Sequence, residues 1–578
     1  MSSSSTRWAL AAVLAGGVAL NLFGARSRLP RHERSRHVVT EAEVRDLSAA
    51  LQAARDEVYR AYDAATSASV TDDVFVRDPD ASVTLRLGGA EVRIAKTKLD
   101  AIRSYFLQPE FCDDATVLSA LNNIRPARFQ FDPHLYQYGG LYLYSVGAAM
   151  QLGGTAGLYR VTRDVSYYFL HPDELGMLYA MPRLVQTGAT AAAAWLLFFM
   201  AARWFRSPRA GVLAALFLLC APIVVVINHF LKAHTFFLPF FLLSVHYALS
   251  VLEETRTRDY VLSGVCAGLA AGAIFFGGFA IFALLAAHLL AEWPRRGARA
   301  LWDRRLVLAG LGLAAAFFVV SPYQVLSFAR VLHDAQKQAS GDVGFAVFFP
   351  NLFQNYFVAF PISLGWGLWL LCSAGLVHAA LVRDRITAVL LSAAAPLYLF
   401  VCILDQGSDR YAMAVYPILI LLGMRAADAG LDSGRWAGGT RAALLLAALF
   451  TAGNAVFYDA ILAYGDPKME AGPWINASIP RGSSIATGVR LVYGTGGFPP
   501  FRLLDYDMRR WDPSLKAKPE YYIGVGEDDR PGSIPPDWSS EYRLEKEFRR
   551  DFGWADRIYK NDLLVWFDWP IRVYRRQA

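Results

Sequence analysis

The sequence predicts a polytopic α-helical membrane protein with about eleven transmembrane helices and a C-terminal α/β domain outside the membrane. Three observations predict it. The 578 residues are 55% hydrophobic and 13% aromatic, with a mean hydropathy of +0.28, too apolar for a water-soluble enzyme. The apolar residues gather into runs long enough to cross a bilayer. Arginines collect in every second connection between those runs, as expected of cytoplasmic loops. The net charge of +7 therefore reflects topology and headgroup contacts, and no nucleic-acid partner is implied. Of the five cysteines, Cys220, Cys266, Cys372 and Cys402 lie in apolar runs and Cys112 stands outside them. No disulfide framework and no Cys/His metal set follows.

Residues 1–25 hold the first run, 8–23, behind a Ser-rich start. Gly24-Ala25-Arg26 is a poor small-residue cleavage site, so the run reads as a span or an uncleaved anchor. Residues 26–183 form a polar region outside the membrane. Thr40-Glu41-Ala42-Glu43 has the pattern of a capping box, and Val44, Leu47, Leu51, Val58 and Tyr62 continue with a helical period. Residues 82–94 alternate around Gly88-Gly89 and predict a β-hairpin.

From 184 to 460 the apolar runs predict spans at 184–205, 210–230, 236–252, 261–276, 279–291, 306–322, 358–381, 386–404, 412–424 and 442–460. The pair 261–291 is short for two crossings and is interrupted at Gly277-Gly278. Two crossings are expected, because only then do the basic connections alternate: Arg203, Arg206 and Arg209; Arg256 and Arg258; Arg295 to Arg305; Arg383 and Arg385; Arg425, Arg435 and Arg441. Arg26, Arg28, Arg31, Arg34 and Arg36 pull the other way for the region after the first run. Either the chain starts inside and 136–152 lies on the outer surface, or it starts outside and that stretch spans. Its tyrosines and glycines favour an interfacial helix. The tail, 461–578, alternates short strand-like runs at 484–489, 521–526, 563–567 and 571–574 with turns, one of them marked by Gly494, Gly496 and Gly497.

The chemistry concentrates in residues 111–144. Asp113 and Asp114 precede an amphipathic helix (Val117, Leu118, Leu121). Arg125 and Arg128 follow, then an Asp132-Pro133 turn and the aromatic series Tyr136, Tyr138, Tyr142 and Tyr144. Acid, cation and interfacial aromatic residues suit an enzyme handling a hydroxyl, a phosphate and a lipid at a bilayer surface. A solvated surface loop would carry the same residues, and either aspartate could instead cap a helix beginning at Ala115. His171-Pro172-Asp173-Glu174 is a rival acidic cluster, but with no cation near it before Arg183 it reads rather as an interfacial helix terminus. Further polar residues near the outer edge are Asn228, His229, Lys232 and His234 at one hinge. Tyr323, His333, Asp334 and Lys337 lie in a long loop, and Asp409, Arg410 and Tyr411 precede a span. The span interiors carry almost no ionisable groups, which argues against a transporter or lipid flippase.

The order of these motifs resembles the GT-C superfamily, the membrane glycosyltransferases that use polyprenyl-phosphate sugars, such as the dolichyl-phosphate-mannose protein mannosyltransferases and the aminoarabinose transferases. Asp113-Asp114 stands where the family has its loop acid. Arg183-Leu184, Pro222, the small-residue run 264–278, Ser321-Pro322-Tyr323, Arg410-Tyr411, Trp474-Ile475-Asn476 with 479–483, and the end from Trp569 to Tyr574 follow in family order. Departures are Asp114 in place of Glu, Lys232 and His234 where many relatives have Asp, and Phe275-Phe276-Gly277-Gly278 where a basic-Tyr pair is frequent.

The resemblance implies transfer of a hexosyl or pentosyl group from a polyprenyl-phosphate donor to an acceptor hydroxyl on a lipid, glycan or protein, with inversion. It implies a multi-pass protein of a bacterial inner membrane; a polysaccharide ligase or oligosaccharyl transferase on a similar frame is the alternative. Asp113 would be the general base and Asp114 its second. Arg125, Arg128, Lys232, Lys337 and Arg410 would hold the phosphate, while His333, Tyr136 and Tyr138 would contact acceptor or sugar. Each cation could equally be snorkelling. No cofactor is required; a divalent metal could help neutralise the phosphate, although one acidic pair is thin coordination.

Overall fold

The computed structural model describes residues 3–65, 69–70, 75–78, 80–342, 345–404, 409–487, 498–510, 518–526, 534–536, 538–561, 564 and 568–577. The chain divides into two units, one formed by residues 1–25, 123–148 and 182–459, the other by residues 26–122, 149–181 and 460–578.

The first unit is helical, and every predicted apolar run in it contains a helix. Backbone chemistry decides where those helices break. The run 210–230 is two helices, Pro208–Cys220 and Pro222–Asn228, bent by 53°. Pro222 has no N–H to continue the ladder and holds Ala221 extended, at φ −62 and ψ 125. The run 358–381 also divides, into Phe360–Leu364 and Trp366–Val382, at Gly365 with φ +81. That conformation is open to glycine at little cost. The pair 261–291 is two helices, Thr257–Ala273 and Ile281–Arg296, joined by the 3-10 turn Phe275–Ala280.

Glycines set how closely two of these helices approach. A Cβ at Gly264 would lie 2.1 Å from the Ala309 carbonyl oxygen, and one at Gly268 2.3 Å from that of Leu313. Spaced four residues apart, they form one stripe on Thr257–Ala273 that admits the backbone of Arg304–Val320, the small-residue packing common between membrane helices.

Among the described residues, four helices are individually long and apolar enough to cross a membrane: Pro172–Trp204, Phe275–Trp302, Arg385–Cys402 and Ala437–Ser478. A fifth is added if the bent pair is one span, and Leu238–Glu253 and Trp366–Val382 are shorter apolar helices. The first of these begins earlier than expected: His171 closes the short helix Ser166–Leu170, and Asp173 and Glu174 occupy the first turn of a 33-residue helix. Gly140–Thr155 has 16 residues, about 24 Å of helix against a hydrocarbon core of about 30 Å.

The second unit builds its core from segments far apart in sequence. The helix Glu41–Ala64 starts at the expected capping box, with Glu43 N–H donating to Thr40 and the Glu43 carboxylate accepting from Thr40 N–H at 2.7 Å. Its buried Leu47 and Leu51 share one apolar cluster with Ile102 and Phe106 and with Ile475, Ile485, Phe501, Ile523 and Val573 of the tail. The hairpin pairs Ser82–Leu87 with Ala90–Ala95, and Gly88 and Gly89 both take positive φ in the turn.

The tail forms a five-stranded sheet in the order Asp507–Arg510, Ser484–Thr487, Tyr521–Val525, Ile571–Arg576, Tyr542–Phe548. The first three strands run parallel; the last two pair antiparallel. Strands Asp507–Arg510 and Tyr542–Phe548 were not expected: the first is four residues long, and the second is charged, reading Tyr-Arg-Leu-Glu-Lys-Glu-Phe at a sheet edge. Gly494, Gly496, Gly497 and all of 563–567 except Leu564 lie outside the described residues, and Leu564 is in a turn.

Candidate active site

The hinge between Pro222–Asn228 and Leu238–Glu253 is held by hydrogen bonds that replace those lost where the helix stops. Asn228 Nδ2 donates to Asn21 Oδ1 at 2.8 Å, and Thr235 Oγ1 donates to Asn228 Oδ1 at 2.7 Å. Gln186 Nε2 donates to the carbonyls of Ile227 and Phe230, and Tyr142 donates to Gln186 at 3.1 Å. Three buried ionisable groups stand at the ends of the predicted runs. Arg183, His229 and Asp459 are all buried in this unit. Arg183 donates to Ala25 O at 2.9 Å, and His229 Nε2 lies 2.7 Å from Phe23 O, so both fasten the end of the first helix. Their roles are read from sequence only with difficulty, because their partners are distant backbone carbonyls.

On this scaffold Lys232 and His234 are buried, at 4% and 3% exposure. The His234 ring meets Tyr138 edge-on at 6.4 Å and Tyr411 at 5.5 Å. Tyr411 in turn meets Phe276 at 5.2 Å, and the Arg410 guanidinium lies over the Tyr411 ring at 5.1 Å. The 3-10 turn Asp409–Ala412 presents Arg410, whose N–H donates to Asp409 Oδ1 at 2.8 Å; Tyr416 OH donates to the Asp409 carbonyl at 2.8 Å.

Two side chains in this cluster hold buried polar atoms without hydrogen-bond partners. Both ring nitrogens of His234 and Oδ2 of Asp409 are buried and unsatisfied among the described residues. Leaving such an atom unsatisfied costs about 1–3 kcal/mol, so each is available to a ligand or water. Burial, then the charges of Arg410 and Lys232, hold His234 well below its ordinary pKa, so the ring is neutral. Burial pushes the Asp409 carboxyl up to about 6, against the opposing pull of Arg410 and Lys232. A neutral imidazole and a reluctant carboxylate beside two cations make a cluster with excess positive charge.

Residues 123–138 reach the same unit by a second anchor. Asp132 closes the turn at Pro133: its Oδ1 accepts from His134 N–H at 2.9 Å, and its Oδ2 accepts from Ser327 at 3.0 Å. Arg330 lies 3.8 Å from that oxygen. Tyr136 is buried with its hydroxyl on Asp132 at 3.1 Å, and Gln324 donates to the carbonyls of Tyr136 and Tyr138. The aromatic series is therefore not a lipid-facing ladder: Tyr136 and Tyr142 are interior, and Tyr138 faces His234. Arg128 is exposed in the turn Pro126–Arg128, Arg125 is half-buried, and His333 and Lys337 are exposed on Phe328–Asp342.

The acidic pair belongs to the second unit. The helix there begins at Cys112 instead of Ala115, so Asp113 and Asp114 lie in its first turn and are not its caps. Both carboxylates there oppose the positive end of the helix dipole. Asp114 is fully buried with Val117 and Ala120 on the same face, whereas Asp113 is half-buried. The rival cluster differs from expectation in having cations near it. Glu174 accepts from Arg160 N–H at 2.7 Å and from Tyr167 at 2.6 Å, and Asp173 lines a cavity of about 360 Å³ with Arg26, Arg31 and Glu33. No group of three or more His, Cys, Asp or Glu side chains is placed to hold a metal ion among the described residues.

Fold and cluster together describe a helical integral membrane protein with Lys232, His234 and Arg410 gathered at a helix hinge. Residues 180–325, which contain that hinge, match the family model for dolichyl-phosphate-mannose-protein mannosyltransferase, and this match bears out the resemblance to the GT-C glycosyltransferases. Among solved structures, ArnT from Cupriavidus metallidurans bound to undecaprenyl phosphate is 13% identical, with 100% of this chain and 99% of that chain covered and a TM-score of 0.44. The same protein in its apo state is 14% identical, covering 80% and 92%, with a TM-score of 0.40. The apo oligosaccharyltransferase of Archaeoglobus fulgidus is 14% identical, with a TM-score of 0.41 over 68% of this chain, which spans 60% of that protein. No curated protein sequence matches the chain.

Proposed function

We propose that the protein moves a sugar from a polyprenyl-phosphate donor to an acceptor hydroxyl of a lipid, glycan or protein on the extracytoplasmic face of the membrane, with about eleven helices crossing the bilayer. The family match over the hinge segment carries this reading. Buried Lys232 and half-buried Arg410 support it, since the departing polyprenyl phosphate gains negative charge as the glycosidic bond breaks and fixed cations stabilise that charge.

Asp113 is the general base. It takes the acceptor proton as the acceptor oxygen bonds to the anomeric carbon, while the carbon–oxygen bond to phosphate breaks and its electron pair leaves with the phosphate. One base and a single displacement give inversion. Asp113 is preferred over Asp114 because the latter is fully buried. Arg125, Arg128 and Lys337, being less buried, are assigned to the donor's approach, and Tyr138 and His333 to sugar or acceptor contacts. The reaction as written asks for no cofactor.

The test is transfer by the purified protein in liposomes carrying a panel of polyprenyl-phosphate sugars, read as release of polyprenyl phosphate. Consumption of at least one donor with an inverted product is expected. Consumption only of a pyrophosphate-linked oligosaccharide would make the protein a ligase or oligosaccharyl transferase instead.

A further inference from the structure

Two cations alone do not account for His234. Whichever tautomer it adopts, a neutral imidazole offers one N–H donor and one lone pair, and neither ring nitrogen is used among the described residues. The ring cannot turn away to find water: it is 3% exposed and packed between Tyr138 and Tyr411. The groups charging its surroundings are Lys232 on its own segment and Arg410 on the turn packed against it. Any anion drawn to those cations arrives beside the unused N–H.

A carboxylate in place of His234 would repel phosphate, whereas a neutral imidazole donates to it. We propose that His234 is a binding residue of the donor site, its ring N–H hydrogen-bonding a phosphate oxygen of the polyprenyl carrier held between Lys232 and Arg410. This rests on the proposed function, and it adds to that reading a neutral third donor. Such a donor strengthens its bond as charge builds on the oxygen without requiring a third positive charge.

The experiment measures binding of undecaprenyl phosphate to the full-length protein in phosphatidylcholine nanodiscs. His234→Phe keeps the aromatic contacts and removes both ring nitrogens; His234→Gln restores a donor and an acceptor. At unchanged thermal stability, Phe is expected to raise Kd at least tenfold and Gln to stay within about threefold of wild type. Inorganic phosphate at millimolar concentration is expected not to compete.

Wild-type affinity in His234→Phe, with binding lost in Lys232→Ala and Arg410→Ala, would overturn the role of His234 and leave the proposed function standing. Gln no better than Phe would overturn the hydrogen bond. Competition by inorganic phosphate would overturn the assignment to a lipid carrier. Absence of binding by the wild-type protein would overturn this inference and the proposed function together.

Discussion

Lys468 donates its ammonium to the Glu110 carboxylate at 2.6 Å, joining residues 358 positions apart. Arg28 Nη1 reaches the same oxygen at 3.2 Å, and Glu110 N–H donates to Arg28 O at 3.0 Å. Burial alone would raise the Glu110 pKa, but Lys468 and Arg28 outweigh it and hold the carboxyl well below the usual range. Glu110 lies two positions before Cys112, where the helix carrying Asp113 begins. The tail thus fixes the start of that helix. Lys468→Met should lower stability by about 3–5 kcal/mol, the cost of stripping one partner from a buried pair. Denaturation monitored by proteolysis of the tail checks this; an unchanged midpoint would mean that Arg28 alone suffices.

Asp113→Asn should leave folding and undecaprenyl-phosphate binding intact while lowering transfer about a hundred- to ten-thousand-fold. Steady-state turnover alongside a binding measurement separates the two effects. Near-normal turnover, with Asp173→Asn inactive instead, would move the base to the second acidic cluster.

Arg410→Lys keeps a charge but loses the planar fork and its stacking on Tyr411. Transfer should weaken while expression and thermal stability stay normal. A Lys variant with wild-type turnover would remove Arg410 from the phosphate site.

Asp409 gives the apoprotein a pH dependence of stability. Its folded pKa of about 6 exceeds the model-peptide value of 3.8, so between those values the folded state holds a proton the unfolded chain has released. Stability therefore falls as pH rises from about 4 to 6 and flattens above, by on the order of 3 kcal/mol. Thermal unfolding across that window should show the slope, and Asp409→Asn should remove it.

Single cysteines placed in the tail should react with a membrane-impermeant reagent in intact cells, since the alternating basic connections put residues after 460 outside. Labelling only after lysis would contradict that sidedness.

Where apolar runs and backbone chemistry act locally, the sequence by itself determined the outcome. The helices follow the runs, the capping box at Thr40 and the hairpin at Gly88-Gly89 need only neighbouring residues, and Pro222 announces its own break. Gly365 was equally local, but its break passes unnoticed inside an apolar run because hydropathy carries no record of φ. The motif order also sufficed for the family resemblance that the match over 180–325 bears out. Tertiary structure alone decided which polar residues meet. Lys232 and His234 look like loop residues until burial and the distant turn at Asp409 enclose them. Asp132 looks like a turn residue until Ser327 and Arg330 reach it. Leu47 of the insert and Val573 of the tail share one core that no local pattern links. The physical reason is common to all three: burial and partner choice depend on contacts across hundreds of residues, whereas helix periodicity and turn chemistry depend on a few.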